Sequence, residues 1–188
     1  RSLVKQACRA ASFWDDTLHL SLNVSATMIT DELFPDRLAE QLRHERFPYE
    51  RFEVEITEEA LVGNLDAAQR NLSKLHAYGI SVALDDFGIG YSGLTRLSID
   101  KIKIDRSFFE AGSIDHLPMV EAILGMARSL KMKVTAEGIE DFHLPYLPKW
   151  LAENGCHYAQ GYLYGRPQAG STIATAVQAP LTVCAAAQ

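Results

Sequence analysis

Short apolar strands alternate with amphipathic helices along this chain, and no tight hairpin turn joins one strand to the next. That pattern calls for parallel strands joined by right-handed crossovers, with helices covering the sheet. The periodicity predicts helices over residues 3–14, 35–46, 64–78, 116–130 and 143–154. Strands are expected at Leu18–Val24, Phe52–Ile56, Ile80–Leu84, Ile102–Ile104, Val134–Ala136 and Tyr158–Tyr164. A polar residue lies in or just after each strand, toward its end in most: Asn23, Glu55, Asp85, Lys103, Glu137 and Gln160. They recur about once per βα unit of ~30 residues. In a closed (β/α)8 barrel such positions open onto one face, the C-terminal ends of the strands, where barrel enzymes do their chemistry. Six strands fall short of eight, and a full barrel usually takes ~250 residues. The expected fold is therefore α/β, a TIM-like barrel that is N-terminally incomplete in this chain. Residues 1–170 are expected to form the barrel, and the Ala-rich stretch 171–188 a closing helix and tail.

Composition narrows the function. The 188 residues are 47% hydrophobic and 22% charged, as in an ordinary globular domain. The net charge is -6, with no basic run, which argues against a DNA partner. An acidic protein that handles phosphates needs metal ions to bridge the charge. Cys8, Cys156 and Cys184 have no paired metal-ligand spacing and cannot all pair with one another, which suits a reducing, cytoplasmic compartment. No apolar run reaches the ~18 residues of a membrane span, and residues 1–14 lack a signal-peptide core.

The richest segment is Val82–Leu94, where an apolar strand ends in Asp85 and Asp86 and runs into a loop punctuated by glycines. Adjacent carboxylates at the mouth of a buried strand need a counter-charge. Capping and solvation would account for them singly, as a turn role would for Asn23 and a solvated edge strand for Glu53 and Glu55. Lys103, flanked by isoleucines, would ordinarily snorkel to solvent. Glu137 ends another apolar strand. Taken together, Asn23, Glu55, Asp85, Asp86 and Glu137 form an all-oxygen donor set of the kind that suits Mg²⁺ or Mn²⁺. So many carboxylates exceed the needs of one ion. A two-metal site sharing one Asp would activate a water for phosphoryl transfer, with Lys103 beside it. The histidines do not converge on this set, and His157 reads as structural or solvated. Gly88-Ile89-Gly90 lacks the setting of a dinucleotide fingerprint.

Six segments, in this order, resemble the EAL family of cyclic di-GMP phosphodiesterases, barrel enzymes of bacterial second-messenger signalling. They are Asn23-Val24-Ser25, Glu55-Ile56-Thr57-Glu58, Asp85 to Ser92, Lys103-Ile104-Asp105, Ala136-Glu137-Gly138-Ile139-Glu140 and Gln160-Gly161-Tyr162. The resemblance covers roughly residues 3 to 170. It implies an EAL-type barrel in which Asn23, Glu55, Asp85, Asp86 and Glu137 bind two Mg²⁺ or Mn²⁺ ions, with Asp85 as the bridge. It also implies that Lys103 contacts the nucleophilic water, with either Lys103 or Glu137 as general base. Glu58 would anchor the loop after Asp86, and Asp105, Glu140 and Gln160 would line the metal and nucleotide pocket. The implied product is linear 5′-pGpG. Implied partners are cyclic di-GMP, a second copy in a homodimer, and fused sensory or GGDEF-type domains.

Two departures stand out. The Glu-x-Leu motif of the family's first strand, with a metal-binding Glu and a nearby Arg, is absent from these residues. The expectation is a fragment of a complete domain, poorly active alone, or a degenerate member. Ile89 and Gly93 stand where Thr and Ser are common, which tunes the loop. The main alternative is a catalytically inactive receptor or interaction module on the same barrel. A third reading, an enolase-type barrel, fits the Asp85-Asp86 pair and Gln160 less well.

Overall fold

A computed structural model describes residues 2–62, 64–87, 97–109, 116–140, 145–170 and 172–173. Six strands hydrogen-bond in sequence order: β1 (Leu20–Asn23), β2 (Phe52–Thr57), β3 (Ser81–Phe87), β4 (Lys101–Ile104), β5 (Lys133–Ala136) and β6 (Tyr158–Ala159). β1 and β2 run parallel, as do β4 with β5 and β5 with β6. Among the described residues seven helices accompany them: α1 (Ser2–Ala11), α2 (Ala26–Ile29), α3 (Phe34–His44), α4 (Glu59–Val62), α5 (Leu65–Tyr78), α6 (Leu117–Ser129) and α7 (Leu147–Glu153). This is the strand–helix repeat of a TIM-like barrel, six strands of it. The chain divides into two compact units. One holds the described residues to Ala83 with 97–99, 168–170 and 172–173; the other holds 84–87 and the described residues from 100 to 167.

In the first unit, α3 packs on α1 and α5. α3 contributes Phe34, Leu38, Ala39 and Leu42 to the core, α5 contributes Ala68, Leu72 and Leu75, and β2 contributes Phe52, Val54 and Ile56. Asn64 starts α5 by accepting the Ala67 N–H at 3.1 Å, and Gly79 ends it in the left-handed region at φ +88°. Buried Asn71 donates to the carbonyls of Ile29 and Asp31, tying α5 to the end of α2. Arg51 is also buried. Its guanidinium donates to the Leu18 carbonyl at 2.9 Å, the Asp15 carbonyl at 3.0 Å and the Asp16 carboxylate at 2.6 Å, and lies over the Phe47 ring. One side chain thus fixes the loop that feeds β1.

In the second unit, α6 covers β5 with an apolar stripe of Val120, Ile123, Leu124 and Ala127. Register pairs Ile102 with Val134, Lys103 with Thr135 and Ile104 with Ala136. All six are buried, so both faces of these strands are covered, as parallel sheets require.

β2 is buried along Phe52–Ile56, Glu53 and Glu55 included, which sets aside the solvated-edge alternative. Two expectations change. β3 runs to Phe87, carrying Asp85 and Asp86 inside the strand. The strand expected over Tyr158–Tyr164 stops at Ala159, because Gly161 turns the chain and its carbonyl accepts the Tyr164 N–H at 3.0 Å. The Gly88-Ile89-Gly90 segment, Gly93, Cys184 and, apart from 172–173, the closing segment 171–188 lie outside the described residues. Among the described residues no helix is long and apolar enough to cross a membrane.

Candidate metal centre

Side chains alternate sides along a regular strand, so adjacent residues normally point apart. Asp85 and Asp86 escape this rule. Asp86 has φ +55°, in the left-handed region that Asp tolerates better than most residues. Its N–H donates to Asp85 Oδ1 at 3.1 Å, which pins the twist. With alternation broken, Asp85, Asp86 and Glu137 each offer a carboxylate oxygen within 4.8 Å of the others. Three such oxygens fit a hard divalent cation, which takes oxygen ligands.

Lys103 supplies the counter-charge. Its ammonium lies 3.0 Å from Asp85 Oδ1 and 2.8 Å from Glu137 Oε1. The three side chains are 7%, 14% and 17% exposed, so little water screens them. A buried ammonium is costly unless paired, and here it has a carboxylate on each side. The lysine does not snorkel, because β4 is covered on both faces. Glu137 follows β5 directly, and its N–H donates to the Ile104 carbonyl at 3.0 Å. It lies two residues beyond Thr135, the register partner of Lys103, so alternation carries both to one face. Sequence reasoning does not single out Thr135. The signal lies in its parity with Glu137.

Asn23 and Glu55 form their own pair in the first unit, opposite each other in register at the C-terminal ends of β1 and β2. Asn23 is exposed and Glu55 buried. One layer below, Ser21 Oγ donates to Glu53 Oε1 at 3.2 Å. Glu58 is buried immediately before α4, and its carbonyl accepts the Leu61 N–H. The loop it is expected to anchor falls within 88–96, outside the described residues.

The remaining candidates lie in the second unit. Asp105 caps a 3₁₀ turn over Arg106–Phe108, accepting the Ser107 N–H at 2.9 Å. Burial pushes its carboxyl up, but the Ser107 hydrogen bonds and the Arg106 charge outweigh it and leave the group below the usual aspartate range. Gln160 and Glu140 are exposed. The Gln160 backbone is engaged on both sides, its N–H with the Ala136 carbonyl and its carbonyl with the Ile139 N–H. His157, read as structural or solvated, is exposed overall yet tied to β5: its Nδ1 accepts the Val134 N–H at 3.1 Å, and burial, then Lys133, holds the ring below the usual histidine value.

Comparison with known proteins places the chain in a family. The chain is 36% identical over 174 residues to the cyclic di-GMP phosphodiesterase NbdA of Pseudomonas aeruginosa, covering 88% of this chain and 22% of that one. It superposes on the crystal structure of the EAL domain of Mycobacterium smegmatis DcpA with a TM-score of 0.85 and 33% identity, covering 95% of this chain and 83% of the other. The manganese/cyclic di-GMP complex of Klebsiella pneumoniae BlrP1 aligns with a TM-score of 0.75 and 26% identity, over 88% of this chain and 42% of the other. The chain spans about a fifth of the length of the first curated relatives it matches, 21% and 22% for two of them. With the EAL domain profile matching residues 1–167, the chain belongs to the EAL domain family.

Proposed function

We propose that this chain is part of a metal-dependent phosphodiesterase that hydrolyses cyclic di-GMP to linear 5′-pGpG. The observation that carries the reading is the buried Lys103 ammonium held between Asp85 and Glu137, with Asp86 completing a three-carboxylate cluster. In this reading Asn23, Glu55, Asp85, Asp86 and Glu137 would hold two Mg²⁺ or Mn²⁺ ions. Bound there, divalent ions lower the pKa of water and offset charge on the phosphate. Lys103 would contact the attacking water, and either Lys103 or Glu137 would accept its proton. The water oxygen bonds to phosphorus, one bridging P–O3′ bond breaks, and the leaving 3′ oxygen takes up a proton. Asp105, Glu140 and Gln160 would border the nucleotide, and Glu58 would anchor the loop after Asp86.

Supporting this reading are the phosphodiesterase name of NbdA and the manganese/cyclic di-GMP complex of BlrP1. In the same reading residues 1–170 form the barrel and 171–188 a closing helix and tail, and the protein is a homodimer fused to sensory or GGDEF-type domains. A cytoplasmic setting fits the free, buried thiols of Cys8 and Cys156, which burial pushes up to about 11. The test is chromatographic detection of pGpG from cyclic di-GMP by the full-length protein, with Mg²⁺ or Mn²⁺ and with chelator. Metal-dependent turnover is expected. Tight nucleotide binding without turnover would overturn the catalytic reading in favour of a receptor.

A further inference from the structure

Glu137 can join the cluster only while the chain after β5 holds its backbone still, and two glycines bracket that segment. Gly138 has φ +65°; a Cβ there would overlap Arg106 Cβ and lie 3.1 Å from Arg106 Cα. Gly161 has φ +155°; a Cβ there would overlap the Ile139 nitrogen and oxygen and lie 2.6 Å from its carbonyl carbon. The obstacles include backbone at both places, and backbone cannot swing aside as a flexible side chain can. Around Gly161 the chain is gripped from both directions. Ile139 N–H donates to the Gln160 carbonyl at 3.0 Å, and the Ile139 carbonyl accepts the Leu163 N–H at 3.0 Å. On the other side of Glu137, its own N–H is fixed to Ile104 on β4. The carboxylate therefore sits between one anchor on β4 and a second on the turn after β6. Gly165, four residues on from Gly161, meets nothing within 4 Å.

We infer that Gly138 and Gly161 are positioning residues for the Glu137 carboxylate: their missing side chains let Arg106 and Ile139 close against the backbone and hold Glu137 beside Asp85, Asp86 and Lys103. A methyl group at either position displaces the 137–139 segment, and the carboxylate leaves the cluster. This rests on the metal reading above.

The test is calorimetric Mn²⁺ titration of the full-length protein, with thermal unfolding measured alongside. Gly161→Ala is expected to weaken Mn²⁺ binding roughly 10–100-fold, the usual effect of losing a ligand's support, and to lower kcat more than it raises KM. Gly165→Ala should bind as wild type. Gly138→Ala should weaken binding similarly, and adding Arg106→Gly should restore part of it. Should Gly161→Ala not fold, the Gly138 pair decides alone. Glycines that matter only to stability would lower the unfolding temperature and leave the Mn²⁺ affinity of the folded protein unchanged, and that result overturns the inference. So does a double variant no better than Gly138→Ala. Wild-type protein that takes up no Mn²⁺, or Asp85→Ala that takes it up equally well, overturns the metal reading itself.

Discussion

β2 and β3 each bring two acidic side chains to one side of the strand, and they do it by opposite means; both are buried on β2, whereas on β3 Asp86 is exposed. On β2, Glu53 and Glu55 are two residues apart, so ordinary alternation puts both on one face while Val54 and Ile56 fill the other. On β3, Asp85 and Asp86 are neighbours, and only the left-handed twist at Asp86 brings both carboxylates within reach of Glu137. The regular strand buries acids at no conformational cost. The irregular one packs more charge into less chain, at the expense of backbone strain. Strain of this kind is tolerated where surrounding structure over-determines it, and it clusters at functional sites.

The largest test of this contrast removes a β3 carboxylate. Asp85→Ala should abolish most Mg²⁺- or Mn²⁺-dependent cyclic di-GMP hydrolysis, by roughly 100-fold or more given what mere supporting residues contribute, with circular dichroism unchanged. Undiminished turnover would remove Asp85 from the site. Next is Lys103→Met, which leaves the Asp85 and Glu137 carboxylates facing each other without their cation. Breaking a buried pair costs about 3–5 kcal/mol, so the urea midpoint should fall sharply, and added Mn²⁺ should recover part of the loss. A midpoint indifferent to Mn²⁺ would argue that the cluster holds no metal.

A smaller effect separates the two strands directly. Valine suits extended backbone but not the left-handed region. Asp86→Val should cost about 1–2 kcal/mol of stability, whereas Thr57→Val on β2 should cost little and Asp86→Asn less than Asp86→Val. Equal losses at Asp86 and Thr57 in chemical denaturation would erase the distinction drawn here. The smallest expected effect is at Asp105, whose depressed carboxyl contributes stability above the unfolded value near ~3.9. That contribution is lost as pH falls through the lower folded value. Asp105→Ala should therefore destabilise by at most about 1 kcal/mol at neutral pH, the range of a lost cap. The gap from wild type should close in acid. A gap that widened in acid would contradict the assigned hydrogen bonds.

Much of this was readable from the chain. The order of strands and helices, the stop of α5 at Gly79 and the carboxylates at strand ends all follow from apolar periodicity, turn residues and position. The conformation of Asp86 was not readable. Two adjacent acids in a strand look like one inward and one outward, and nothing local announces a positive φ at a non-glycine residue. Nor was the burial of Glu53, Glu55 and Lys103, because a polar residue in a short apolar run looks the same whether a neighbouring element covers it or water does. β6 was read too long because Tyr162 and Tyr164 continue the apolar alternation, while the turn there depends on Ile139, distant in sequence. The roles of Gly138 and Gly161 are hidden for the same reason, since each is defined by what approaches it from another strand.

The Arg51 guanidinium reads the segment before β1 largely through main-chain oxygens, at Asp15 and Leu18; its one side-chain partner there, Asp16, is almost wholly in water. Carbonyls are supplied by every amino acid. That approach to the sheet can therefore drift in sequence, and change its charge, without moving the strand that presents Asn23.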